Sequence, residues 1–144
     1  MQVKELMTKD MVFANTNDTV FDVAKLMKHH NIGCVPVVAD GEKVLGVVTD
    51  RDIVLNIAKY NLDVTTTLAS TIMSDRVYSV KPDAAVEHAL DLMKKQRVRR
   101  LPVIENDCLL GMISIGDIAV SNDFKQEISE AITEISRPAR VENI

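Results

Sequence analysis

Two stretches of the chain place hydrophobic residues at the spacing of an amphipathic helix. The first runs over residues 19–30 and the second over 85–97, and polar residues fill the opposite face of each. The apolar positions that share one face are Val20, Val23, Ala24 and Met27 in the first stretch, and Val86, Ala89, Leu90 and Met93 in the second. Asp18 and Asp83 stand just before these stretches, where an aspartate is expected to cap a helix. The pattern therefore predicts two equivalent helices.

A pair of β-branched runs follows each predicted helix and is typical of a β-hairpin. CVPVV (34–38) and VLGVV (44–48) flank an Asp-Gly turn, whereas RLPVI (100–104) and LLGMI (109–113) flank a turn that is one residue shorter. A further helix follows the first hairpin, and its expected apolar positions are Ile53, Val54 and Ile57. Each half therefore predicts the order strand, helix, strand, strand, helix, packed as a small α/β (α+β) sandwich.

The two halves are copies of one unit. Sliding the chain by 66 residues, and by 65 beyond a one-residue deletion in the second turn, aligns like residues throughout. The aligned pairs include Met7 with Met73, Thr8 with Ser74, Val20 with Val86, Pro36 with Pro102, Gly46 with Gly111, and Asp52 with Asp117. The register predicts repeat 1 over 1–60, a linker over 61–67, repeat 2 over 68–121 and a tail over 122–144.

The predicted tail contains an amphipathic helix of its own. Within 123–136 the apolar residues form one stripe, and Pro138 is expected to stop the helix. The stripe consists of Phe124, Ile128, Ile132 and Ile135. It could add to a contact with another molecule or fold back on its own chain.

Composition excludes several classes of protein. The formal net charge is −4 and the pI is near 5.3, which argues against a nucleic-acid binder because such domains usually carry a basic surface. No apolar run approaches the roughly 18 residues that a membrane helix requires, and the N-terminus lacks the apolar core of a signal peptide. Cys34 and Cys108 form no CxxC motif and suit a reducing compartment. These features predict a cytoplasmic protein without a metal site.

One motif occurs in both repeats and carries the candidate chemistry. Thr49 to Asp52 and Ser114 to Asp117 both fit [ST]-x-x-[DE] at the point where a strand ends and an apolar helix begins. The motif is typical of a capping box, in which the hydroxyl and the carboxylate satisfy backbone N–H groups. The same geometry suits a nucleotide, since a helix N-terminus attracts phosphate and a carboxylate accepts from ribose hydroxyls. Both interpretations stay open, while the absence of HExxH, GxSxG and P-loop motifs predicts that the chain is not an enzyme.

The segments GVVTDRDI (46–53) and GMISIGDI (111–118) resemble the CBS domain, a family named after cystathionine β-synthase. Each follows a VPVV or LPVI strand and an apolar helix, and the resemblance runs from about Val3 to Val120. Two tandem CBS domains form a Bateman module, and the resemblance implies a pseudo-twofold arrangement with two clefts between the repeats. Such clefts bind adenosine-containing ligands, including AMP, ADP, ATP, S-adenosylmethionine or a dinucleotide. The resemblance thus implies a sensor that regulates an unidentified partner protein, with an adenine nucleotide as its regulatory ligand and no cofactor required.

The resemblance also implies which residues would line the clefts. In each cleft, backbone and apolar groups of one repeat would face the adenine, while the motif hydroxyl and carboxylate of the other repeat would bind phosphate and ribose. The first cleft would contain Asp18, Val23, Ile32, Gly33, Cys34, Ser114 and Asp117. The second would contain Thr49, Arg51, Asp52, Ala84, Ala89, Val98, Arg99 and Arg100. Because the second cleft holds the arginines, it is expected to favour a phosphate-bearing ligand.

Members of the family pair through exposed helix faces, and this implies a homodimer. The faces expected to be exposed are the apolar sides of the helices at 20–27 and 86–93, together with those after Asp52 and Asp117. The alternative to the sensor is an interaction or dimerisation module that has no physiological nucleotide.

Overall fold

The computed structural model describes residues 1–138 and shows a mixed α/β fold. The helices are α1 (Val3–Leu6), α2 (Val20–His30), α3 (Asp50–Tyr60), α4 (Ala69–Ile72), α5 (Val86–Gln96), α6 (Ile115–Ala119) and α7 (Lys125–Ser136). The strands are β1 (Ala14–Asn15), β2 (Cys34–Ala39), β3 (Lys43–Thr49), β4 (Arg100–Glu105) and β5 (Cys108–Ser114). The predicted order of elements is confirmed for repeat 1 and, from its first predicted helix onwards, for repeat 2. In the second repeat, however, the first strand is reduced to one parallel bridge between Val80 and Val103.

The chain folds into two compact units, each of which combines segments distant in sequence. The repeat 1 unit contains residues Asp10–Val77 and Asn106–Leu109. The repeat 2 unit contains Met1–Lys9, Tyr78–Glu105 and the described residues from Leu110 to Pro138. The N-terminal segment of the chain therefore packs with the second repeat, whereas α4, its counterpart at the 66-residue offset, packs with the first.

The repeat 1 unit is built on a hairpin of β2 and β3 with β1 parallel to β2. The hairpin turn places Asp40 and Gly41 at φ of 52° and 75°, which is the positive-φ geometry that a two-residue turn needs to match the twist of its strands. The buried core lies between this sheet and α2, and consists of Ala14, Val20, Val23, Met27, Val35, Val37, Val48, Ile53 and Ala69.

The repeat 2 unit pairs β4 with β5 and packs α5 against α7. Val3 from the N-terminal segment is fully buried in its core. The other buried members are Val80, Val86, Ala89, Leu90, Met93, Leu101, Val103, Ile113, Ile115, Ile118, Phe124 and Ala131.

The helix caps differ from the sequence prediction. Thr19, not Asp18, caps α2, because its hydroxyl accepts from the Asp22 amide at 3.1 Å. Asp18 instead accepts from the Asn15 amide at 2.8 Å and closes the preceding turn. Asp83 caps nothing either, since the N-cap of α5 is Ala85, which has no side-chain hydrogen bond. Thr19 is the N-cap because it stands one residue nearer the helix than Asp18, where its hydroxyl reaches the amide at the N3 position.

The predicted exposure of the helix faces is wrong for α2 and α5. Their apolar stripes are buried in the two cores, where they cover the sheets. The helix after Asp117 likewise buries Ile118 completely. In α3 the expected stripe is divided: Ile53 is buried, whereas Val54 and Ile57 are 63% and 40% exposed.

The tail helix folds back on its own chain. Phe124 and Ala131 are buried in the core of the repeat 2 unit, while Ile128 and Ile135 pack against that core. The helix ends at Ser136, two residues before Pro138, as the sequence predicts. Residues 139–144 of the predicted tail lie outside the described residues.

Residues 61–67, which the sequence predicts as a linker, include a turn that is hydrogen-bonded to the first residues of α2. The Val20 and Phe21 amides donate to the carbonyls of Thr67 and Val64, both at 2.9 Å. Asp63 accepts from the Thr65 amide and hydroxyl, and these bonds lower the pKa of its carboxyl below the usual value. Over residues 1–138, no helix combines the length and the apolar character needed to cross a membrane.

Candidate functional site

The motif of repeat 1 forms a capping box at the start of α3. The Asp52 amide donates to Thr49 Oγ1 at 3.0 Å, and the Thr49 amide donates to Asp52 Oδ2 at 2.9 Å. The box satisfies two backbone donors that a helix start leaves without partners. Thr49 and Asp52 are both half-buried, so each keeps solvent-accessible surface.

The motif of repeat 2 forms the same box at the start of α6. The Asp117 amide donates to Ser114 Oγ at 3.1 Å, and the Ser114 amide donates to Asp117 Oδ2 at 2.8 Å. The second carboxylate oxygen, Oδ1, accepts from the Thr8 hydroxyl at 3.5 Å. Capping thus occupies Oδ2 and leaves Oδ1 outside the box with room for a further hydrogen bond, so a cap and a ribose contact can coexist on one aspartate.

A backbone hydrogen bond places each motif beside the residues that begin the second strand of the same repeat. In repeat 1 the Asp50 amide donates to the Gly33 carbonyl at 3.0 Å. In repeat 2 the Ile115 amide donates to the Arg99 carbonyl, also at 3.0 Å. We call these two places the repeat 1 corner and the repeat 2 corner.

The repeat 2 corner opens into a pocket of about 300 Å³ within its unit. The pocket is lined by Arg99, Arg100, Ser114, Ile115, Gly116, Ile132 and Ile135. The sequence assigned the arginines to one cleft and Ser114 to the other, whereas the structure places them on one pocket. Within residues 1–138 neither arginine forms an ion pair, which leaves both guanidinium groups able to bind an anion.

The repeat 1 corner contains a carboxylate in the equivalent place. A Cβ added to Gly33 would lie 2.9 Å from Asp50 Oδ2, so the glycine makes room for that side chain. Asp50 Oδ1 accepts from the Arg51 amide at 2.8 Å, and the Arg51 side chain is exposed. This corner therefore presents a negative charge where the repeat 2 corner presents positive ones.

The other predicted site residues fall into three groups. Val23 and Ala89 are completely buried in the two cores, so their side chains offer no surface to a ligand. Asp18 lines an open surface groove of the repeat 1 unit together with Phe13, Asp22, Lys25, Leu26 and His29. The half-buried residues at the strand starts and helix ends are Ile32, Cys34, Ala84 and Val98. The pairing of residues from different repeats stays a prediction.

Three residues near the repeat 2 corner were not singled out by the sequence. Thr8 touches Asp117, and its alignment with Ser74 in the repeat register was the available signal. Ile132 and Ile135 were assigned to an amphipathic stripe, and nothing in that pattern indicates a pocket. A third arginine nearby, Arg97, has a structural task, because it donates to the Glu134 and Arg137 carbonyls at the end of α7.

Comparison with known proteins identifies the family. Residues 3–59 and 69–121 match the family model of the CBS domain. The chain is 37% identical over 134 residues to the CBS domain-containing protein YhcV of Bacillus subtilis, which covers 93% of this chain and 94% of that protein.

Solved structures agree with this result. The crystal structure of Hypoxic Response Protein I with two coordinated zinc ions superposes with a TM-score of 0.76 at 30% identity, over 83% of this chain and 98% of that one. The described part of the present chain holds no group of three or more His, Cys, Asp or Glu side chains arranged for a metal ion. The CBS domain pair of protein MJ0100, in complex with 5′-methylthioadenosine and S-adenosylmethionine, has a TM-score of 0.74 at 25% identity, over 88% and 98% of the two chains. The protein therefore belongs to the CBS domain family and carries two tandem CBS domains.

Proposed function

We propose that this protein is a regulatory module that binds an adenosine phosphate, with AMP, ADP or ATP as the ligand class. The observation that carries the proposal is the repeat 2 pocket, where Arg99 and Arg100, which form no ion pair within residues 1–138, stand beside the Ser114–Asp117 motif. A guanidinium group binds phosphate oxygens through two parallel hydrogen bonds. Asp117 Oδ1, which the capping box does not use, supplies an acceptor for a ribose hydroxyl.

The family supports a ligand of this chemistry. CBS pairs act as regulatory ligand-binding modules, and the pair of protein MJ0100 binds two adenosine compounds. S-adenosylmethionine and dinucleotides are the alternative ligands. S-adenosylmethionine carries no phosphate, and its single carboxylate offers Arg99 and Arg100 less negative charge than a nucleotide phosphate does. For that reason we favour the phosphate-bearing class.

A thermal-shift screen followed by titration calorimetry tests the proposal. AMP, ADP, ATP, S-adenosylmethionine and NADH are compared, since a ligand at 100 times its dissociation constant stabilises the folded state by about 2.7 kcal/mol. The bound nucleotide should be weakened by Arg99→Ala and by Asp117→Asn. The sequence pairs the arginines with Thr49 and Asp52, and Thr49→Ala and Asp52→Asn examine that prediction. If none of the five compounds shifts the melting temperature, the nucleotide proposal is wrong.

A second candidate function, an interaction or dimerisation module, rests on the surface of α3. This helix exposes the apolar side chains of Val54, Leu55, Ile57 and Tyr60. Exposed apolar patches of this kind mark contact surfaces, and a homodimer is the partner that the family resemblance implies. Light scattering should give twice the chain mass of 16.0 kDa. A value of one chain mass at micromolar concentration would exclude the dimer.

We further propose a regulatory rather than a catalytic role, in the cytoplasm. Cys34 and Cys108 are not joined in a disulfide, which fits a reducing compartment. The regulated partner would respond to occupancy of the pocket through a change in the conformation of the module.

A further inference from the structure

We infer that α7 forms the base-binding wall of the repeat 2 pocket, so that Ile132 and Ile135 select a nucleotide over a simple phosphate. The inference rests on the proposed function and extends it, because α7 begins at Lys125, beyond the residues that match the CBS domain. The selectivity would therefore come from a segment that this chain adds to its two CBS domains.

The pocket has a polar side and an apolar side. Arg99, Arg100 and Ser114 supply hydrogen-bonding groups, whereas Ile132 and Ile135 supply hydrocarbon from α7. A nucleotide carries its charge at the phosphate and a flat, weakly polar surface at the base, so its two ends match the two sides. A sugar phosphate matches only the polar side.

Several contacts hold α7 in place beside the arginines. Phe124 and Ala131 anchor the helix in the core of the repeat 2 unit. Arg97 Nε and Nη2 donate to the Glu134 and Arg137 carbonyls at 3.1 and 3.2 Å. Arg97 lies two residues before Arg99, so these bonds connect the end of α7 directly to the repeat 2 corner. The apolar wall and the arginines are thus held together before any ligand arrives, which lowers the entropic cost of binding.

Ile132 is a large apolar side chain of α7 that stays exposed. It lies on the same side of the helix as Ile128 and Ile135, four and three positions away, and those two pack against the core. Ile132 itself is 46% exposed although it lines the pocket. A base that covers this side chain would remove its exposed surface from water and gain affinity in proportion to the area.

Calorimetry with AMP and ribose 5-phosphate tests the inference. Ile132→Ser removes the hydrocarbon while leaving the arginines in place, and should weaken AMP by about fivefold to tenfold with ribose 5-phosphate unchanged. Ile132→Val keeps the branched shape and should stay within about twofold of the wild type. Thr133→Ala is the matched control, since Thr133 is exposed on the same helix and its hydroxyl donates to the Ser129 carbonyl. Circular dichroism of each variant confirms that α7 is retained.

The outcomes separate this inference from the proposed function. If the wild type binds AMP and Ile132→Ser binds it equally well, α7 is no base-binding wall and the nucleotide proposal stands. Equal weakening of AMP and ribose 5-phosphate by Ile132→Ser would also overturn the inference, because the change would then act on the polar side. If the wild type binds neither compound, the proposed function fails and the inference fails with it.

Discussion

The repeat 1 and repeat 2 corners share a backbone and differ in charge. In both, the amide that follows the motif hydroxyl donates to the carbonyl of the residue before the second strand, at 3.0 Å. In repeat 1 that residue is Gly33 and the amide belongs to Asp50, whose carboxylate fills the space above the glycine. In repeat 2 the residue is Arg99 and the amide belongs to the buried Ile115, so the space remains open and positively charged.

The difference shows that hydrogen bonds of the main chain fix the geometry of a corner and side chains decide its chemistry. The capping boxes hold the backbone alike in both repeats whatever the two intervening residues are. Those residues, Asp50-Arg51 and Ile115-Gly116, are free to differ. Two corners with the same backbone geometry can therefore carry different binding sites.

The largest effect, a loss of folding stability, should come from substituting a glycine that both units use in the same way. Gly46 and Gly111 each lie in close contact with the backbone of another segment. A Cβ at Gly46 would lie 2.6 Å from the Ser74 carbonyl oxygen, and a Cβ at Gly111 would lie 2.6 Å from that of Thr8. Each carbonyl also accepts a hydrogen bond from the strand below, so Gly46→Ala and Gly111→Ala displace the segment and its backbone bonds. We expect each to cost about 2–4 kcal/mol, measured by urea unfolding.

Gly116→Ala is the control for these two substitutions. A Cβ at Gly116 would meet only Ser114 Oγ, at an ordinary 3.6 Å. Alanine also favours a helix over glycine, so stability should be unchanged or slightly higher. A large loss at Gly116, or a loss at only one of the other two glycines, would contradict the equivalence of the two units.

The next largest effect, on AMP affinity, should show that the two corners differ in binding. Arg100→Ala removes one guanidinium from the repeat 2 pocket and should weaken AMP by roughly tenfold or more, because a hydrogen bond to a charged group contributes about 1.5–3 kcal/mol. Added salt should weaken the wild type more than the variant. Arg76→Ala is the control, since it removes the same charge from an exposed position of the repeat 1 unit. Equal losses in both variants would show that net charge, not the pocket, governs binding.

The sequence predicts the helices, turns and capping boxes well, but it predicts poorly which side chains meet at the two corners. Helical spacing of apolar residues, the Asp-Gly turn and the [ST]-x-x-[DE] boxes are local patterns, and each gives the element it predicts. The repeat register also identifies Thr8 and Ser74 as equivalent. The repeat register does not predict which residues these two contact, because sequence similarity identifies equivalent positions and not contacts. In the structure Thr8 pairs with Met112 of repeat 2, and Ser74 pairs with Val47 of repeat 1.

The exposure of the helix faces was mispredicted for a related reason. A two-stranded hairpin buries little by itself, so each unit uses the apolar faces of α2 or α5 to complete its core. In α3, by contrast, part of the expected apolar stripe stays outside, and Val54 is 63% exposed. Likewise, the stripe of α7 indicates a packed helix, but the position of Ile132 over a pocket depends on tertiary packing that no local pattern contains.

A smaller effect should appear when the repeat 1 corner loses its charge. Asp50→Asn keeps the size of the side chain beside Gly33 and removes the repulsion of an anion. A unit charge about 6 Å away in water contributes about 0.7 kcal/mol, or about threefold in affinity. The change is best measured for AMP in an Arg100→Ala background, where the repeat 2 pocket is weak. If Asp50→Asn leaves that residual affinity unaltered, the carboxylate does not explain the difference between the corners.

The smallest effect concerns the helices that lead into the two corners. Thr19 caps α2 through its hydroxyl, whereas Ala85 has the same extended backbone before α5 and no side chain that can cap. Thr19→Ala should therefore cost about 1 kcal/mol and Ala85→Ser should gain up to about 1 kcal/mol in urea unfolding at neutral pH. The Thr19 amide and hydroxyl hold the pKa of Asp22 below its ordinary value of 3.8, so the carboxylate half of the box is present above that pH and is lost as acid protonates Asp22 in the folded state, whereas the bond from the Asp22 amide to the Thr19 hydroxyl remains. The cost of Thr19→Ala should accordingly shrink in acid, while the gain of Ala85→Ser should persist, because its N3 position carries His88 and no carboxylate.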